Sequence, residues 1–403
     1  MNFKDSIDYL VKHEDINFIN EVVSFDKIPI LVSKEEKDKN RAIIFNKIDK
    51  FNIKIVANIF GNIDRLLKIF HVDSLSNLFK KVDEAQLNPL PLSFIDSFPH
   101  GEIIEPVDDI RKYLPSIKYS KLDKDPYLTS SIVLAKKKNK KGFHICFMRM
   151  AIKGENKLSF NPATYKIKKI FEDTITEKEK LDVVILIAPP VEIILLAALS
   201  LSENVDEIEV ASSLSGGKID FVMDKIPVPV ESEFILWGKV LPTWEEEGPF
   251  GDSTGTYSVK KNPVCLIEKI FIKKDPFFYS ISGGISNEHI ELLSLKAKHR
   301  LEKLKELKMI IDYKIPLFAG ARLAFLMIGK NDLKVQLFDA LKDVPLVKIF
   351  ILVNKDIDLN SLEDILWGIT YRFKPKDFFN FDKKILIDAT TNNIDSWENR
   401  RIL

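Results

Sequence analysis

The chain contains 403 residues, of which 45% are hydrophobic and 30% are charged, and its 60 basic side chains almost balance its 59 acidic ones. These proportions are typical of a globular protein and exclude a disordered chain, which would have fewer apolar residues and a large net charge. The balanced charge also argues against a protein that binds nucleic acid through a broad basic surface. At about 150 residues per domain, this length predicts two or three domains.

The two cysteines, Cys146 and Cys265, lie far apart and form no C-x-x-C motif. This spacing excludes a disulfide scaffold, a zinc finger and a cysteine-ligated iron–sulfur cluster, and it fits a reducing compartment. The N-terminal segment MNFKDSIDYLVKHED is charged throughout, so no signal peptide is predicted. We therefore expect a cytoplasmic protein.

The most apolar segment, 183–201, is about as long as a membrane span. However, Pro189, Pro190 and Glu192 interrupt its centre. The pattern therefore predicts a buried strand, a break and then a helix, and no integral membrane segment is expected.

The spacing of apolar residues divides the chain into regions of different predicted secondary structure. Helical spacing at 4–13 and short β-branched runs at 42–45 and 53–60 predict a mixed α/β region, which ends in a proline-rich loop at 88–106. From about 125 to 285, short β-type runs dominate, as in an antiparallel barrel or sandwich. These predicted strands are 128–135, 143–152, 183–188, 219–223, 233–241, 264–272 and 277–282.

A long amphipathic helix is predicted at 286–309, because apolar residues recur there at steps of three and four and Ser286 can cap the first turn. A strand at 347–353, a helix at 361–373 and a strand at 385–390 are predicted after it. The C-terminal region is therefore expected to be α/β.

The densest glycine cluster, 245-EEEGPFGDSTGTYS-258, predicts a shaped loop that carries the carboxylates Glu247 and Asp252. Two nearby carboxylates in different surroundings can act as acid and base in one site. A surface turn with solvated acids is the alternative. No Rossmann, P-loop, nucleophile-elbow or H-E-x-x-H motif occurs in the sequence.

Three further residues are candidates for a functional site. Arg149 lies inside an apolar run, where a buried arginine needs a carboxylate partner, although an edge strand could turn it towards water. His144 lies five positions earlier, on the opposite face of an extended strand unless a bulge intervenes, and a lone histidine there can be purely structural. Glu207 begins an acidic helix that we expect to end at Gly216 and Gly217; taken alone, it would be solvated.

Several segments, in order and over almost the whole chain, resemble one family, the UbiD-type decarboxylases that use prenylated FMN. The most diagnostic is 227–258, which resembles the pattern VPA-x-AEIVLEG…EGP[YF]G[DE]-x-TGYY. The other matching segments are 42–70, 125–158, 207-EIEVASSLSGG-217, 365-ILWGITYRFKPKD-377 and 384-KILIDAT-390.

The resemblance implies a role for each matching residue. Arg149 matches the arginine that binds the substrate carboxylate region, Glu247 matches the carboxylate that pairs with it, and Asp252 matches the proton donor. Glu207 matches a ligand of the metal ion that holds the cofactor phosphate, and His144 stands at the position of a second ligand, an asparagine. The cofactor-binding residues implied in this way are His144, Met148, Arg149, Pro190, Glu207 and Lys384.

The chain departs from the family pattern at three places. His144 replaces the asparagine ligand, although histidine is also a metal ligand. The ligand histidine expected near 161–166 is absent, so Tyr165 or a water molecule would have to substitute. Ser215 stands where the family usually has arginine. The arginine and its two carboxylates are therefore intact, whereas the metal site is altered.

The resemblance implies a reversible, non-oxidative decarboxylase of an α,β-unsaturated or aromatic acid. Its cofactors would be prenylated FMN, a divalent metal such as manganese, and potassium, and a flavin prenyltransferase would supply the flavin. Polyprenyl hydroxybenzoates, acrylic or cinnamic acids and a phosphorylated unsaturated acid of isoprenoid synthesis are all candidate substrates. The alternatives are a degenerate, non-catalytic member that acts as a cofactor-binding or assembly subunit, and an FMN-binding split-barrel oxidoreductase.

The resemblance also implies an α/β (α+β) fold, in which a central FMN-binding split β-barrel lies between N-terminal and C-terminal α/β domains. The predicted parts are an N-terminal domain at 1–105, the barrel at 106–285, a connecting helix at 286–309 and an oligomerisation domain at 310–403. A homodimer or larger homo-oligomer is therefore expected.

Overall fold

The computed structural model of the protein describes residues 1–138, 140–329, 334–381 and 383–391. The chain divides into two compact units, Met1–Leu292 and Leu293–Leu403. The boundary falls inside the long helix predicted at 286–309. The boundary predicted between residues 105 and 106 lies within the first unit.

Several helices begin at capping side chains. Asn2, Ser74, Asp206 and Ser361 each accept a hydrogen bond from a backbone N–H in the first turn of their helix. In chain order the helices are α1 (Phe3–Lys12), α2 (Ile28–Asp38), α3 (Ile63–Ile69), α4 (Leu75–Leu87), α5 (Tyr165–Thr176), α6 (Val191–Ala198), α7 (Glu207–Leu214), α8 (Asn287–Glu306), α9 (Lys334–Lys342) and α10 (Leu362–Arg372).

Most of the strands lie between helices α4 and α8, in the region where short β-type runs were predicted. In chain order they are β1 (Ile16–Val23), β2 (Ala42–Ile48), β3 (Lys54–Ala57), β4 (Ser93–Phe94), β5 (Gly101–Ile104), β6 (Tyr127–Leu128), β7 (Ile132–Lys136), β8 (Phe143–Phe147), β9 (Met150–Gly154), β10 (Lys157–Ser159), β11 (Leu181–Ile187), β12 (Asp220–Val222), β13 (Val228–Pro229), β14 (Phe234–Gly251), β15 (Tyr257–Lys273), β16 (Phe277–Ser280), β17 (Asp312–Lys314), β18 (Leu323–Ile328), β19 (Ile349–Asn354), β20 (Phe378–Phe381) and β21 (Lys384–Asp388).

A small sheet in the first unit has the strand order β1-β2-β3-β16. Its last strand, β16, was predicted with the barrel strands but pairs in parallel with β3, with Phe277 opposite Lys54. All four residues of β16 are buried, which suits a strand covered on both faces. The sequence prediction missed this pairing because strand propensity does not identify the partner strand.

The large sheet has the order β6-β9-β10-β15-β14-β11-β7-β8, with β5 also paired to β15. Strand β8 lies at one end of this order, and β9 lies near the other. Only Met148 and Arg149 connect the two strands, and three Cα steps span at most about 10 Å. The sheet must therefore curl until its two ends approach each other, which gives the half-barrel expected from the resemblance and places Arg149 at the split.

The glycine-rich segment 245–258 is mostly strand, so the predicted loop is much shorter than expected. Strands β14 and β15 form a long hairpin, and only residues 252–256 turn between them. The hairpin tolerates Gly248 and Pro249 because its register shifts between Glu247 and Phe250, as at a β-bulge.

The apolar segment 183–201 forms the predicted strand, break and helix. Strand β11 pairs with β14 and β7 inside the large sheet, and helix α6 begins directly after Pro190. Within the described residues, none of the helices combines the length and hydropathy needed to cross a membrane.

The second unit contains a sheet with the order β17-β18-β19-β21-β20, in which β18, β19 and β21 run parallel. Its apolar core includes Leu301, Leu326, Leu341, Phe350 and Leu386, which are all almost fully buried. The predicted α/β character of this region is confirmed.

Candidate active site

Glu247 is a buried carboxylate at the centre of the first candidate cluster. It lies on β14 with 1% of its surface exposed. Its Oε2 accepts hydrogen bonds from Ser159 Oγ at 2.8 Å and from the side-chain amide of Asn262, while its Oε1 accepts one from Arg149. A charge so completely hydrogen-bonded can be retained in the interior and is held in one orientation.

Arg149 lies at the split of the large sheet and is the charge partner of Glu247. Its Nε donates to Glu247 Oε1 at 3.1 Å, and its guanidinium carbon lies 4.6 Å from the centroid of the Phe250 ring. Both contacts orient the guanidinium group. Within the described part of the chain these contacts leave the two Nη groups for an external carboxylate. The structure therefore favours the paired arginine over the solvent-facing alternative.

Asp252 begins the turn of the same hairpin and is half-buried. Its Oδ1 accepts hydrogen bonds from the backbone N–H and the hydroxyl group of Thr254. Burial alone would raise the pKa of Asp252, but these hydrogen bonds and the nearby Arg149 lower it below its ordinary value.

Burial alone therefore does not keep Asp252 uncharged in this conformation. In this conformation the carboxyl group is ionised at neutral pH, because donors and a guanidinium group outweigh the effect of burial. A proton donor at this position must therefore acquire its proton when the surroundings of Arg149 change.

His289 belongs to the same electrostatic neighbourhood, and the sequence analysis did not select it. It lies in the first turn of α8, where its Nδ1 hydrogen-bonds to the carbonyl oxygen of Gly284 at 2.8 Å. Burial lowers its pKa, and Arg149 and Asp252 both influence that pKa. Its position at the start of the long helix was the only sequence signal.

The second candidate cluster is built around Glu207. This residue begins α7 but is only 2% exposed, so the prediction of a solvated acid is wrong. Its Oε2 accepts from the backbone N–H of Ile145 at 2.7 Å and lies 2.8 Å from Nδ1 of His144. Its Oε1 accepts from the ammonium group of Lys166 at 3.1 Å.

The structure brings His144 and Glu207 together, but it does not place them as joint ligands of one divalent metal. A carboxylate only accepts hydrogen bonds, so Nδ1 of His144 carries the proton and cannot ligate an ion there. Lys166 occupies the other carboxylate oxygen with a positive charge. Among the described residues, no group of three histidine, cysteine or acidic side chains is close enough to hold a metal ion.

Lys166, rather than Tyr165, fills the place left by the missing histidine. Tyr165 is 70% exposed. The Lys166 ammonium group reaches Glu207 and also donates to the carbonyl oxygen of Leu201 at 2.6 Å. The segment 161–166 was predicted to supply the substitute, but a lysine was not expected in that role, because a lysine is not a metal ligand at neutral pH.

A small pocket adjoins this second cluster, with a volume of about 70 Å³. Its lining includes Lys137, Lys166 and His144, and Nε2 of His144 is buried with no hydrogen-bond partner among the described residues. A ligand in the pocket could satisfy this buried polar atom. The basic lining suits a phosphate group, so these residues fit the phosphate end of a flavin mononucleotide.

The remaining predicted cofactor residues are placed as follows. Met148 is buried at the split, and its N–H donates to the carbonyl oxygen of Ser131 at 2.9 Å. Pro190 is buried directly before α6. Lys384 lies in the second unit, where its ammonium group donates to the carbonyl oxygens of Leu341, at 2.9 Å, and Val344. The assignment of these three residues to the cofactor stays a prediction.

Comparison with known proteins identifies the class. Residues 100–286 match the family model described as the UbiD 3-octaprenyl-4-hydroxybenzoate carboxy-lyase Rift-related domain. The structure of HmfF from Pelotomaculum thermopropionicum in complex with FMN superposes with a TM-score of 0.89, at 21% identity over 100% of this chain and 97% of HmfF. Vanillic acid decarboxylase from Sedimentibacter hydroxybenzoicus, in its closed form, gives a TM-score of 0.82, at 19% identity over 99% and 98% of the two chains. The chain therefore has the fold of the UbiD-class enzymes.

Curated relatives agree with this class. The chain is 28% identical over 361 residues to anhydromevalonate phosphate decarboxylase from Methanocaldococcus jannaschii, which covers 85% of each chain. It is 27% identical over 391 residues to the enzyme of that name from Archaeoglobus fulgidus, which covers 93% of this chain and 86% of the relative. The domain matched at residues 100–286 and the overall fold are therefore those of the UbiD-type decarboxylases.

Proposed function

We propose that this chain catalyses the reversible, non-oxidative decarboxylation of an α,β-unsaturated acid with prenylated FMN as cofactor, and that anhydromevalonate phosphate is its substrate. The observation that carries the activity is the Arg149–Glu247 pair at the split of the sheet, with Asp252 on the same hairpin. The names of the curated relatives support the phosphorylated aliphatic acid over the aromatic candidates.

Loss of CO₂ from an sp² carbon leaves a carbanion that no side chain can stabilise, and a bound prenylated flavin supplies the necessary electron sink. The side chains of this protein must then bind the acid, orient it, and provide a proton to the carbon that has lost CO₂. Arg149, Glu247 and Asp252 divide these tasks.

Arg149 binds and orients the substrate carboxylate in this proposal. Its two Nη groups can donate in parallel to both carboxylate oxygens, which sets the direction of the scissile bond. Glu247 holds the Nε side of the guanidinium group at 3.1 Å and so prevents its rotation. Since Glu247 is itself fixed by Ser159 and Asn262, the orientation of Arg149 is set before substrate binds.

Asp252 delivers the proton after it has been neutralised. In the free protein, Arg149 helps to keep the pKa of Asp252 low. A substrate carboxylate on Arg149 adds a negative charge nearby. This added negative charge offsets the influence of Arg149 and raises the pKa of Asp252, so substrate binding itself promotes protonation of the donor.

The test is turnover of anhydromevalonate phosphate by the full chain co-expressed with a flavin prenyltransferase, with the decarboxylated product detected by mass spectrometry. Cinnamate and 4-hydroxybenzoate serve as comparison substrates. We expect turnover of the phosphorylated acid and its loss in Arg149→Gln. A holoenzyme that turns over only an aromatic acid would refute the substrate, and an Arg149→Gln variant of undiminished activity would refute the role of Arg149.

The same preparation tests the alternatives from the sequence analysis. An oxidoreductase would retain unmodified FMN and oxidise NAD(P)H, and a non-catalytic subunit would turn over none of the acids. The intact hydrogen-bond network around Glu247 supports the enzyme, because a non-catalytic protein has no need to keep a buried charge pair at this cost.

We also propose that the chain forms a homodimer or larger homo-oligomer and receives its flavin from a prenyltransferase. One of the structurally similar proteins is described as a dimeric form of HmfF. Light scattering on the purified holoenzyme tests the oligomer, and a monomer would refute it. Omission of the prenyltransferase during expression should leave the protein without prenylated flavin.

A further inference from the structure

The pocket beside Glu207 is strongly basic. In the described part of the chain its lining contains five lysines against Asp173 and Glu203. The outer lysines are paired, since Lys140 contacts Glu203 at 2.6 Å and Lys169 contacts Asp173 at 3.3 Å. The inner charges are therefore the ones that a ligand would meet.

Lys137 is a buried side chain that forms no ion pair with the described residues. Only 6% of its surface is exposed. Its ammonium group donates to the carbonyl oxygens of Glu203, at 3.2 Å, and Val205, and none of the described carboxylates lies within ion-pair distance of it. An unpaired buried charge is costly, so this position favours an anionic ligand.

Lys166 places a second ammonium group in the same pocket. It contacts Glu207 Oε1 at 3.1 Å, where it neutralises a carboxylate that the family otherwise presents to a metal ion. A divalent cation at this place would be repelled by Lys137 and Lys166 and would have to displace the latter from Glu207. A phosphate group, in contrast, would be attracted to both lysines.

His144 supplies a third group. Its Nδ1 faces Glu207 at 2.8 Å, while its Nε2 is buried at the pocket with no hydrogen-bond partner in the part of the chain that the structure describes. A phosphate monoester can satisfy this atom in either charge state of the ring, because it offers acceptor oxygens and, when singly protonated, a hydroxyl donor.

We propose that Lys137, Lys166 and His144 bind the flavin phosphate directly in this chain, with the Lys166 ammonium group in the place where the family uses a divalent metal. The presence of a flavin comes from the proposed function, on which this inference rests. His144 lies on β8, and Arg149 follows the end of that strand. Five residues of extended chain, about 16 Å in length, separate the two. A flavin mononucleotide is elongated in the same way, with its phosphate far from its ring.

The first experiment compares FMN with riboflavin, which lacks the phosphate, on the purified full chain by flavin fluorescence titration. We expect FMN to bind at least tenfold more tightly, with the same dissociation constant in EDTA and in excess MnCl₂. Lys137→Gln and Lys166→Gln should each weaken FMN binding by about 10- to 100-fold, the range for hydrogen bonds to charged groups. Neither variant should change riboflavin binding. Lys168→Gln is the matched control, because Lys168 lies exposed on the same helix, α5.

The variant Glu207→Gln distinguishes phosphate binding through a metal ion from direct binding by lysines, because the two arrangements predict different changes in FMN affinity. In a metal-bridged site, Glu207→Gln removes a ligand and should weaken FMN binding and metal retention together. In the lysine site, the same substitution frees the Lys166 ammonium group, so FMN affinity should stay the same or increase. Glutamine can still accept the hydrogen bond from Ile145, and a melting curve checks that the variant is folded.

The results that would overturn the lysine site differ from the result that would contradict the proposed function. Dependence of FMN affinity on MnCl₂, or one equivalent of a divalent metal in the FMN-bound protein by elemental mass spectrometry, would overturn the direct lysine site and leave the proposed decarboxylase intact. Equal affinity for FMN and riboflavin would also overturn it. Failure to bind either flavin would contradict the proposed function itself.

Discussion

Arg149 and Glu247 are 98 positions apart in the chain, but Nε of Arg149 donates to Oε1 of Glu247 at 3.1 Å across the interior of the large sheet. Arg149 lies at the split, between β8 and β9, whereas Glu247 lies on the central strand β14. Curling of the sheet therefore creates the pair. A substrate carboxylate that reaches Arg149 meets a guanidinium group that is already oriented.

Glu247→Gln should reduce kcat/KM for decarboxylation by about 10- to 100-fold, because it replaces a charge-assisted hydrogen bond to Arg149 with a neutral one. The amide oxygen can still accept from Arg149, and Ser159 and Asn262 can reorient to accept from its NH₂ group, so the fold and flavin binding should be preserved. Steady-state kinetics of the holoenzyme measure the change. Glu246→Gln is the matched control at an exposed neighbouring position, and an equal loss in both variants would contradict the assignment.

Asp252→Asn should retain the flavin and lose turnover, because an amide cannot supply the proton. General acid catalysis contributes about 10²–10⁴-fold, which sets the expected loss in kcat. The measurement is kcat together with the flavin content of the same preparation. A variant that keeps its flavin and turns over within a factor of ten of the parent would show that another group protonates the product.

Thr254→Val should move the pH profile in a defined direction. Hydrogen bonds from Thr254 help to lower the pKa of Asp252, so loss of the hydroxyl group should raise that pKa. If protonated Asp252 is the active form, kcat/KM falls as the pH rises above this pKa. The falling limb of kcat/KM should therefore shift to higher pH in the variant. An unchanged or downward-shifted limb would mean that this limb does not report Asp252.

The elements that sequence patterns predicted well are those set by local periodicity. Strand β11 followed by α6, and the long helix α8, have apolar spacings that leave few alternatives. The split of the run 143–152 into β8 and β9 could not be predicted in this way, because both halves are equally apolar. The break at Met148 and Arg149 results from the curl of the sheet, which depends on strands more than 80 positions away.

The candidate site was predictable only where the motif itself carries the chemistry. Arg149, Glu247 and Asp252 were candidates from their sequence surroundings, and their roles were predicted from the resemblance to the family pattern. Ser159 and Asn262, which fix Glu247, are ordinary polar residues on neighbouring strands, and only the pairing of β10 and β14 with β15 brings them together. Lys166 is similar: its role depends on the 3.1 Å contact with Glu207, 41 positions away.

The carboxyl group of Glu36, outside the candidate active site, should make the stability of the folded protein depend on pH. Glu36, on α2, accepts a hydrogen bond from the backbone N–H of Asn287 at 2.9 Å. Burial, together with the neighbouring carboxylate of Glu288, raises its pKa from 4.5 to about 7 despite that hydrogen bond. Between these two values the folded protein keeps a proton that the unfolded chain has released. The free energy of unfolding therefore decreases as the pH rises from about 4.5 to about 7.

Glu36→Gln should remove this contribution, because glutamine keeps the acceptor for Asn287 and carries no charge. We expect little change in stability at pH 5 and a gain of about 1–3 kcal/mol at pH 8, where the parent carries the buried charge. Denaturant unfolding at the two pH values measures the difference, and Glu21→Gln, at an exposed position on β1, is the control. A gain of the same size at both pH values would show that improved packing, and not the loss of a titrating carboxyl group, stabilises the variant.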